Sequence, residues 1–397
     1  MMKFKSSKKL WFHVDCDSFF AACEILRHPE LMGSYVCVWG DIIVAATYNA
    51  KALGVKVGTP IWEAKRILPA KKTHYFTLDI PYYSEVSHKL MDILRAQSCG
   101  IEIFSIDEAF CDMTGIPEYF KMDAWEYATF LQKKILDEIG ISVTIGGSNT
   151  RLRAKIFSKL KKPFAVNISL NCDDISEIFS GMSFEKIPFI GSRLAMRLAS
   201  SIQTIEDFRR ASFWYHKRII GVTATRLWLE LNGVNALSFE KHAFQTQYGA
   251  LQKSFSKTRS FNHEMTSDKS FLMRKLLQNL DIFFKELYHK KCEIRSISVE
   301  LRCKDFSRVS LLHEFPDYTL SRHDIYSVVE ILLAQLYDPD TVYRGTGVRT
   351  SDIRLFTPKQ LSLLDIQAHD FTKNIALEST LSGLTEKYGK KVLRVWG

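Results

Sequence analysis

The 397-residue chain is short of the features that mark secreted, zinc-bound or membrane proteins. Its eight cysteines (16, 23, 37, 99, 111, 172, 292 and 303) form no C-x-x-C pair and no clustered Cys/His spacing, which excludes a disulfide framework or a zinc finger. No apolar run approaches the ~18 residues that a membrane span needs. The N-terminus, MMKFKSSKKL, is basic but runs straight into the alternating WFHVDC, without the apolar core of a secretion signal. These absences predict a cytoplasmic protein with no membrane partner. Proline and glycine are sparse, at ten and 19, while 46% of residues are apolar, so a disordered or fibrous chain is excluded. Acids fall short of bases, 44 against 54, and the net charge of +10 points to a polyanion, nucleic acid ahead of a membrane surface.

The length allows about two to four domains. Leu10–Val14 reads as a strand that ends in Asp15-Cys16-Asp17 before a helix opened by Phe19 and Phe20. Asp17 suits a helix N-cap, whereas Asp15 sits in the apolar run, where an unpaired charge is costly and a cation is implied. Tyr35–Trp39 and Ile42–Ala46 read as two strands, Thr47–Val55 as a short helix ended by Gly54, and Gly58-Thr59-Pro60 as the opening of another helix. Amphipathic helices are expected over 81–97 and from Trp125 to Ile139, and a strand over Ile141–Ile145. Between the two helices, Ile101–Asp112 alternates, breaks at Ser105-Ile106 and resumes, which predicts a β-hairpin with Asp107 and Glu108 at or just past its turn. Alone, that pair is equally a solvated acidic turn. The order strand–helix–hairpin–helix–strand predicts a ferredoxin-like sheet on which Asp15 and the hairpin acids can converge.

Residues 151–170 carry Arg151, Arg153, Lys155, Lys159, Lys161 and Lys162 and no acid, and read as a basic helix with a Leu152/Ile156/Leu160 core stripe. Its cations are expected opposite that stripe, either as a solvated face or facing phosphates. Residues 184–234 read as helical, with Gly-punctuated turns at 186–191 and 218–221 that suit helix–hairpin–helix contacts to a DNA phosphate. A linker is expected over 237–248. The segment 249–357 reads as an α+β domain with strands at Ser254–Phe261, Ile294–Arg302 and Val348–Phe356 and helices at Phe271–Leu287 and Arg322–Leu336. Its basic residues, including Lys253 and Arg259, make it a candidate DNA-binding module. Gln360 and the leucines at 361, 363 and 364 suit a short linear motif or an ordinary helix start.

Acids set to converge at a sheet edge, beside Tyr48, Lys51 and further cations, fit a hard-cation site for phosphoryl transfer. Four stretches then carry a resemblance: VDCDSFFA (14–21), TYNAKALGV (47–55), FSIDEAF (104–110) and Lys161-Lys162-Pro163. In this order they resemble the Y-family (UmuC/DinB-type) translesion DNA polymerases over about the whole length of the chain. The resemblance implies an α+β, multidomain right hand. Its ferredoxin-like palm would be 1–20 and 81–170, its short fingers 21–80, its helical thumb 171–236 and its little finger 249–357, followed by a tail over 358–397. It implies Asp15, Asp107 and Glu108 as catalytic metal ligands with the Cys16 carbonyl assisting. It further implies two Mg²⁺ ions (Mn²⁺ able to substitute), Glu108 near the primer 3′-OH, and Tyr48, Lys51 and Lys162 on the triphosphate. Phe20 would be the steric gate against a ribose 2′-OH, with Phe19 beneath the sugar. Lys253, Ser254, Arg259, Arg344 and Arg349 are the expected DNA contacts, and Gln360, Leu361, Leu363 and Leu364 the expected sliding-clamp peptide. Primer–template DNA, a dNTP and the replicative clamp are the implied partners of a monomer.

Three positions depart from the family pattern. Lys51 replaces an Arg and turns a bidentate grip into a point charge. Phe189 stands at a thumb turn often held by Gly, and Leu364 replaces the Phe of the clamp peptide. The alternative function is a catalytically silent, clamp-binding scaffold, although such relatives typically lose the metal carboxylates. A nucleotide cyclase would leave the thumb and little finger without a purpose.

Overall fold

The computed structural model describes residues 9–198, 201–219, 221–237, 254–261 and 264–356. The chain forms two compact units, Met1–Phe244 and Gln245–Gly397. In chain order the first unit begins with β1 (Trp11–Cys16), α1 (Phe19–Arg27), β2 (Tyr35–Trp39), β3 (Ile43–Ala46), α2 (Tyr48–Ala52) and α3 (Ile61–Ile67). Next come β4 (Thr73–Thr77), α4 (Ile80–Ala96), β5 (Gly100–Ile103), β6 (Glu108–Asp112), α5 (Ile116–Tyr119), α6 (Ala124–Ile139), β7 (Val143–Ser148), α7 (Arg151–Phe157) and β8 (Val166–Ile168).

The central sheet has the order β5-β6-β1-β7-β8, the ferredoxin-like arrangement expected from the element order. Period-two alternation along β1 sends Phe12, Val14 and Cys16 to one face, where they join Val86, Leu90 and Leu94 of α4 and Leu131 and Ile135 of α6 in one core. Each such fully buried side chain contributes about 1.5–3 kcal/mol. The two helices are capped as their sequences dictate: Asp79 accepts from the Tyr82 amide, Asp123 and Glu126 form a reciprocal box, and Gly140 ends α6 at φ +83°. Trp11, His13 and Asp15 point to the opposite face, which α7 covers. That helix lies tight on the sheet because Gly146 has no side chain; a Cβ there would sit 2.1 Å from the Ala154 carbonyl oxygen.

A smaller sheet, β3-β2-β4, carries α2 and α3 around its own apolar cluster. Its strand β4, parallel to β2, was not expected, since THYFT carries no alternation and gains its place only by pairing with residues 38 positions away. The basic segment 151–170 is likewise not one helix. α7 stops at Phe157 and β8 lies within the remainder, because the residue before Pro163 disfavours helical backbone.

The helical region comprises α8 (Cys172–Ser180), α9 (Ser192–Leu198), α10 (Ile205–Arg210), α11 (Phe213–Ile219) and α12 (Val222–Leu231). It is fastened to α7 by buried polar groups. Arg153 donates to the Leu231 carbonyl, and the Glu230 carboxylate accepts from the amides of Leu152, Ala236 and Leu237. The turn before α9 holds Phe189 at φ +75°, a left-handed conformation that suits glycine.

In the second unit, β9 (Phe255–Ser260), α13 (Lys269–His289), β10 (Cys292–Cys303), β11 (Arg308–Thr319), α14 (Arg322–Leu336), β12 (Tyr343–Thr350) and β13 (Ile353–Leu355) build a sheet of order β11-β10-β12-β9, with β13 also paired to β10. The core lies between this sheet and the two helices. The expected run Val348–Phe356 is two strands, and β11 was not expected. Its Pro316 and exposed polar residues obscure the strand pattern, and proline is tolerated because β11 has one partner among the described residues.

Candidate active site

β1 and β6 are antiparallel neighbours in which Asp15 stands opposite Glu108. Asp107 ends the turn of the β5–β6 hairpin, and its carbonyl accepts from the Cys16 amide, which fixes the turn against β1. The acidic stretch is therefore built into the sheet. A cavity of about 350 Å³ opens here, lined by Asp15, Cys16, Phe19, Phe20, Tyr48, Lys51, Asp107, Lys159 and Lys162 among others. The catalytic and nucleotide-contact candidates thus converge on one cavity, with Glu108 as the exception among its lining. Glu108 lies beside Asp15 but is held from the α7 side. Asp112 bonds Lys9 and Thr114 and plays a structural part.

Lys162 Nζ lies 2.7 Å from Asp15 Oδ1, and Lys155 Nζ lies 2.7 Å from Glu108 Oε2 and 3.3 Å from His13 Nε2. Ser158 donates its hydroxyl to the Lys155 carbonyl, so His13 Nδ1 donates to Ser158 Oγ and Nε2 is left to accept from Lys155. Burial pushes the His13 imidazole pKa down against the pull of Glu108, which keeps the ring neutral. Burial also opposes ionisation of Glu108, but the groups packed around it, with the Lys155 ammonium 2.7 Å away, overcome it and hold the carboxyl at about 2. Asp107 moves the other way. Burial raises its pKa, the neighbouring Asp15 and Glu108 carboxylates add to that, and the Ser105 hydroxyl counters.

On the opposite wall, Lys51 donates to Ser18 Oγ at 2.8 Å and lies over the Tyr48 ring. Burial lowers the Lys51 pKa, and the Lys162 cation adds to the effect. Phe19 is buried, and the Phe20 ring reaches the cavity from α1. Asp15, Asp107 and Glu108 offer only oxygens, the donor set a hard divalent cation prefers. Among the described residues, the donors of His13, Asp15 and Glu108 lie within 4.8 Å of one another, but the Lys155 ammonium already sits against two of the three.

Comparison with known proteins bears on this geometry. Models of the impB/mucB/samB family match residues 14–159, and of its C-terminal domain residues 252–363. A solved Y-family DNA polymerase chimera is similar with a TM-score of 0.71 and 26% identity, over 87% of this chain and all of that one. The chain belongs to the Y family. The curated relatives include a DNA polymerase IV of Oceanobacillus iheyensis (25% identical, 97% of this chain, 91% of the relative) and one of Nitrosopumilus maritimus (28% identical, 87% of this chain, 96% of the relative). An insertion ternary complex of Dbh DNA polymerase is similar at a TM-score of 0.53 and 25% identity, over 87% of this chain and all of the other.

Three residues of this Y-family site were missed by sequence reasoning. Asp17 is no N-cap: Ser18, at φ +53°, precedes α1 without a side-chain cap. Asp17 instead accepts from Thr144 Oγ1, the Phe164 amide and the Tyr48 hydroxyl, tying three segments around the cavity. Lys155 is buried rather than on a cationic outer face, and Arg151 and Arg153 of the same helix are also taken up internally, Arg151 by Glu102 and the Trp11 ring. His13 could have been found, since it lies two residues before Asp15 and so shares its strand face.

In the second unit, β9 pairs with β12 so that Ser256 faces Arg349 and Thr258 faces Gly347. Ser254 and Arg349 are exposed. Arg259 turns to the helix side and donates to Gln278, and Arg344 lies 3.8 Å over the Phe306 ring. Lys253 and the peptide Gln360, Leu361, Leu363 and Leu364 lie outside the described residues. Among the described residues, no helix is long and apolar enough to cross a membrane.

Proposed function

We propose that the chain is a template-directed DNA polymerase that performs translesion synthesis in SOS-type damage tolerance, by nucleotidyl transfer from a dNTP to a primer 3′-hydroxyl. The observation that carries this reading is the meeting of Asp15, Asp107 and Glu108 at one end of the sheet, beside a cavity walled by Tyr48, Lys51, Lys162 and Phe20. Retention of all three carboxylates argues against a silent scaffold.

The all-oxygen donor set fits Mg²⁺, or Mn²⁺ in its place, held by Asp15, Asp107, Glu108 and the Cys16 carbonyl. Two such ions, when bound, would supply activation of the primer hydroxyl and neutralisation of the leaving pyrophosphate. The protein's own groups do the rest. Lys162, 2.7 Å from Asp15, is within reach of a phosphate that enters the cavity. Lys51, partly desolvated, gives a point charge for the same phosphates and Tyr48 a hydroxyl. Lys155, itself bonded to His13, fixes Glu108 from behind, so that its free carboxylate edge faces the primer end. Phe20 closes the space a 2′-hydroxyl would need, with Phe19 beneath the sugar.

In this reading the palm is 1–20 and 81–170, the fingers 21–80, the thumb 171–236 and the little finger 249–357. The little-finger face that presents Ser254, Ser256, Thr258 and Arg349 would meet DNA phosphates, its small side chains and Gly347 admitting the backbone closely. The protein would act in the cytoplasm as a monomer and meet the replicative clamp through Gln360, Leu361, Leu363 and Leu364.

Primer extension with purified protein tests the reading. Asp107→Ala and Glu108→Ala are each expected to lower single-nucleotide incorporation by at least about a hundredfold, the several kcal/mol that metal positioning contributes. Incorporation at the parent rate by either variant would sink the assignment.

A further inference from the structure

The ring that reads the sugar does not stand alone. Phe20 is stacked on Tyr83 of α4, with ring centroids 4.7 Å apart and planes 19° from parallel. Tyr83 is fully buried, and its hydroxyl donates to Glu24 Oε1 at 2.6 Å. Glu24 is itself only 1% exposed and lies on α1 one helical turn beyond Phe20, so the two share a helix face and grip Tyr83 between them. The neighbouring Tyr82 hydroxyl donates to the Cys23 carbonyl, which ties the same two helices together a second time.

Burying an acid in an aromatic core is costly unless its hydrogen bonds are made, and here the return is small. Glu24 Oε1 accepts from Tyr83, while Oε2 is buried with no hydrogen-bond partner among the described residues. An apolar pair of equal volume would serve packing at least as well. What an apolar pair would not do is stop the Tyr83 ring from sliding along its own long axis. A hydrogen bond at the far end of the phenol does that, and so prevents the Phe20 ring from yielding when a bulkier sugar presses on it.

We propose that Glu24 is a positioning residue for sugar selection, acting through the Tyr83 hydroxyl to brace the Phe20 gate. The inference rests on the polymerase reading and on Phe20 as its gate. It assigns discrimination against ribonucleotides to a three-residue stack across α1 and α4, with the last member outside the cavity.

The test uses the whole chain with primer–template DNA and measures kcat and KM for a dNTP and its ribonucleotide separately. Tyr83→Phe, which removes one oxygen, and Glu24→Leu, which removes the acceptor, are each expected to raise the ribo-to-deoxy kcat/KM ratio by up to about tenfold, the value of one hydrogen bond. Glu24→Gln keeps an acceptor oxygen and is expected to stay within about twofold of the parent ratio. Phe20→Ala is expected to raise the ratio further, and adding Tyr83→Phe to it to change nothing more, since no gate remains to be braced. A merely structural role would leave the ratio at the parent value in both Tyr83→Phe and Glu24→Leu, or would make the double-variant effects multiply; either result overturns the proposal. If Glu24→Leu does not fold, Tyr83→Phe decides. A parent that incorporates no nucleotide defeats the polymerase reading itself, and a parent whose discrimination survives Phe20→Ala defeats the gate and the brace together. A parent that discriminates through Phe20 but ignores Tyr83→Phe defeats only the brace.

Discussion

Lys155 and Lys162 grip the same carboxylate cluster from two sides and differ in what surrounds them. The Lys155 side chain is 5% exposed, lies 4.1 Å from the Phe104 ring centroid and is held by Glu108 and His13. The Lys162 side chain is 21% exposed and lines the cavity. Lys155→Ala strands a buried carboxylate and is expected to destabilise the fold by about 3 kcal/mol, as read by urea denaturation. Lys162→Ala is expected to cost under about 1 kcal/mol of stability and instead to raise KM for the incoming nucleotide. Equal stability losses would show that the division is wrong. The same contrast explains what could be read from residues alone. Asp107 and Glu108 declared themselves by adjacency at a turn, and Lys162 by its place before Pro163. The inward turn of Lys155 could not be foreseen, because its partner lies 47 residues away and a lysine-rich helix normally faces water.

Elements were legible where their signals were local. α4 and α6 followed from apolar spacing with a glycine beyond the last turn, and the β5–β6 hairpin from its alternation. β4, β8 and β11 were not, since a strand of ordinary polarity is made by its neighbours. The turn at Phe189 shows a local rule overridden by a tertiary contact: the left-handed backbone costs about 1–2 kcal/mol, yet the ring packs edge-on against Phe104 at 5.9 Å. Phe189→Ala, which keeps the backbone cost and loses the ring, is expected to destabilise by about 1 kcal/mol. Phe189→Gly relieves the backbone and should fall within about 0.5 kcal/mol of the parent. Thermal unfolding of the two variants checks the order. At α10, Glu206 is nearly buried and bonds Arg209 and Arg210. Burial opposes its ionisation, but the two guanidinium groups overcome it and lower its pKa. A carboxylate with a lowered folded pKa stabilises above its ordinary value of 4.5 and loses that contribution as pH falls through the folded value. Glu206→Gln is therefore expected to cost about 2 kcal/mol at pH 7, and the gap to the parent should close on acidification below 4.5.

For the molecule as a whole, the excess of ten positive charges makes DNA affinity a function of salt. Arg349, exposed opposite Ser256 on β12, is expected to hold one phosphate. Arg349→Ala should weaken binding to all sequences alike and reduce the slope of log affinity against log salt by about 1. A sequence-dependent loss, or an unchanged slope, would remove it from the phosphate contacts. Family membership covers both units through two separate matches, so the charge excess and the carboxylate site belong to one machine.

The strand β11 has a consequence for how the protein keeps company with its own copies. Twelve residues long and, among the described residues, paired on one side only, it is a template on which a second chain could add a strand. Pro316 has no amide hydrogen to offer, and exposed Arg308, Glu314 and Asp317 set charge along the same ribbon. Strand addition from a second copy is thereby disfavoured along β11, and the irregularity that hid the strand in the sequence is what guards its edge.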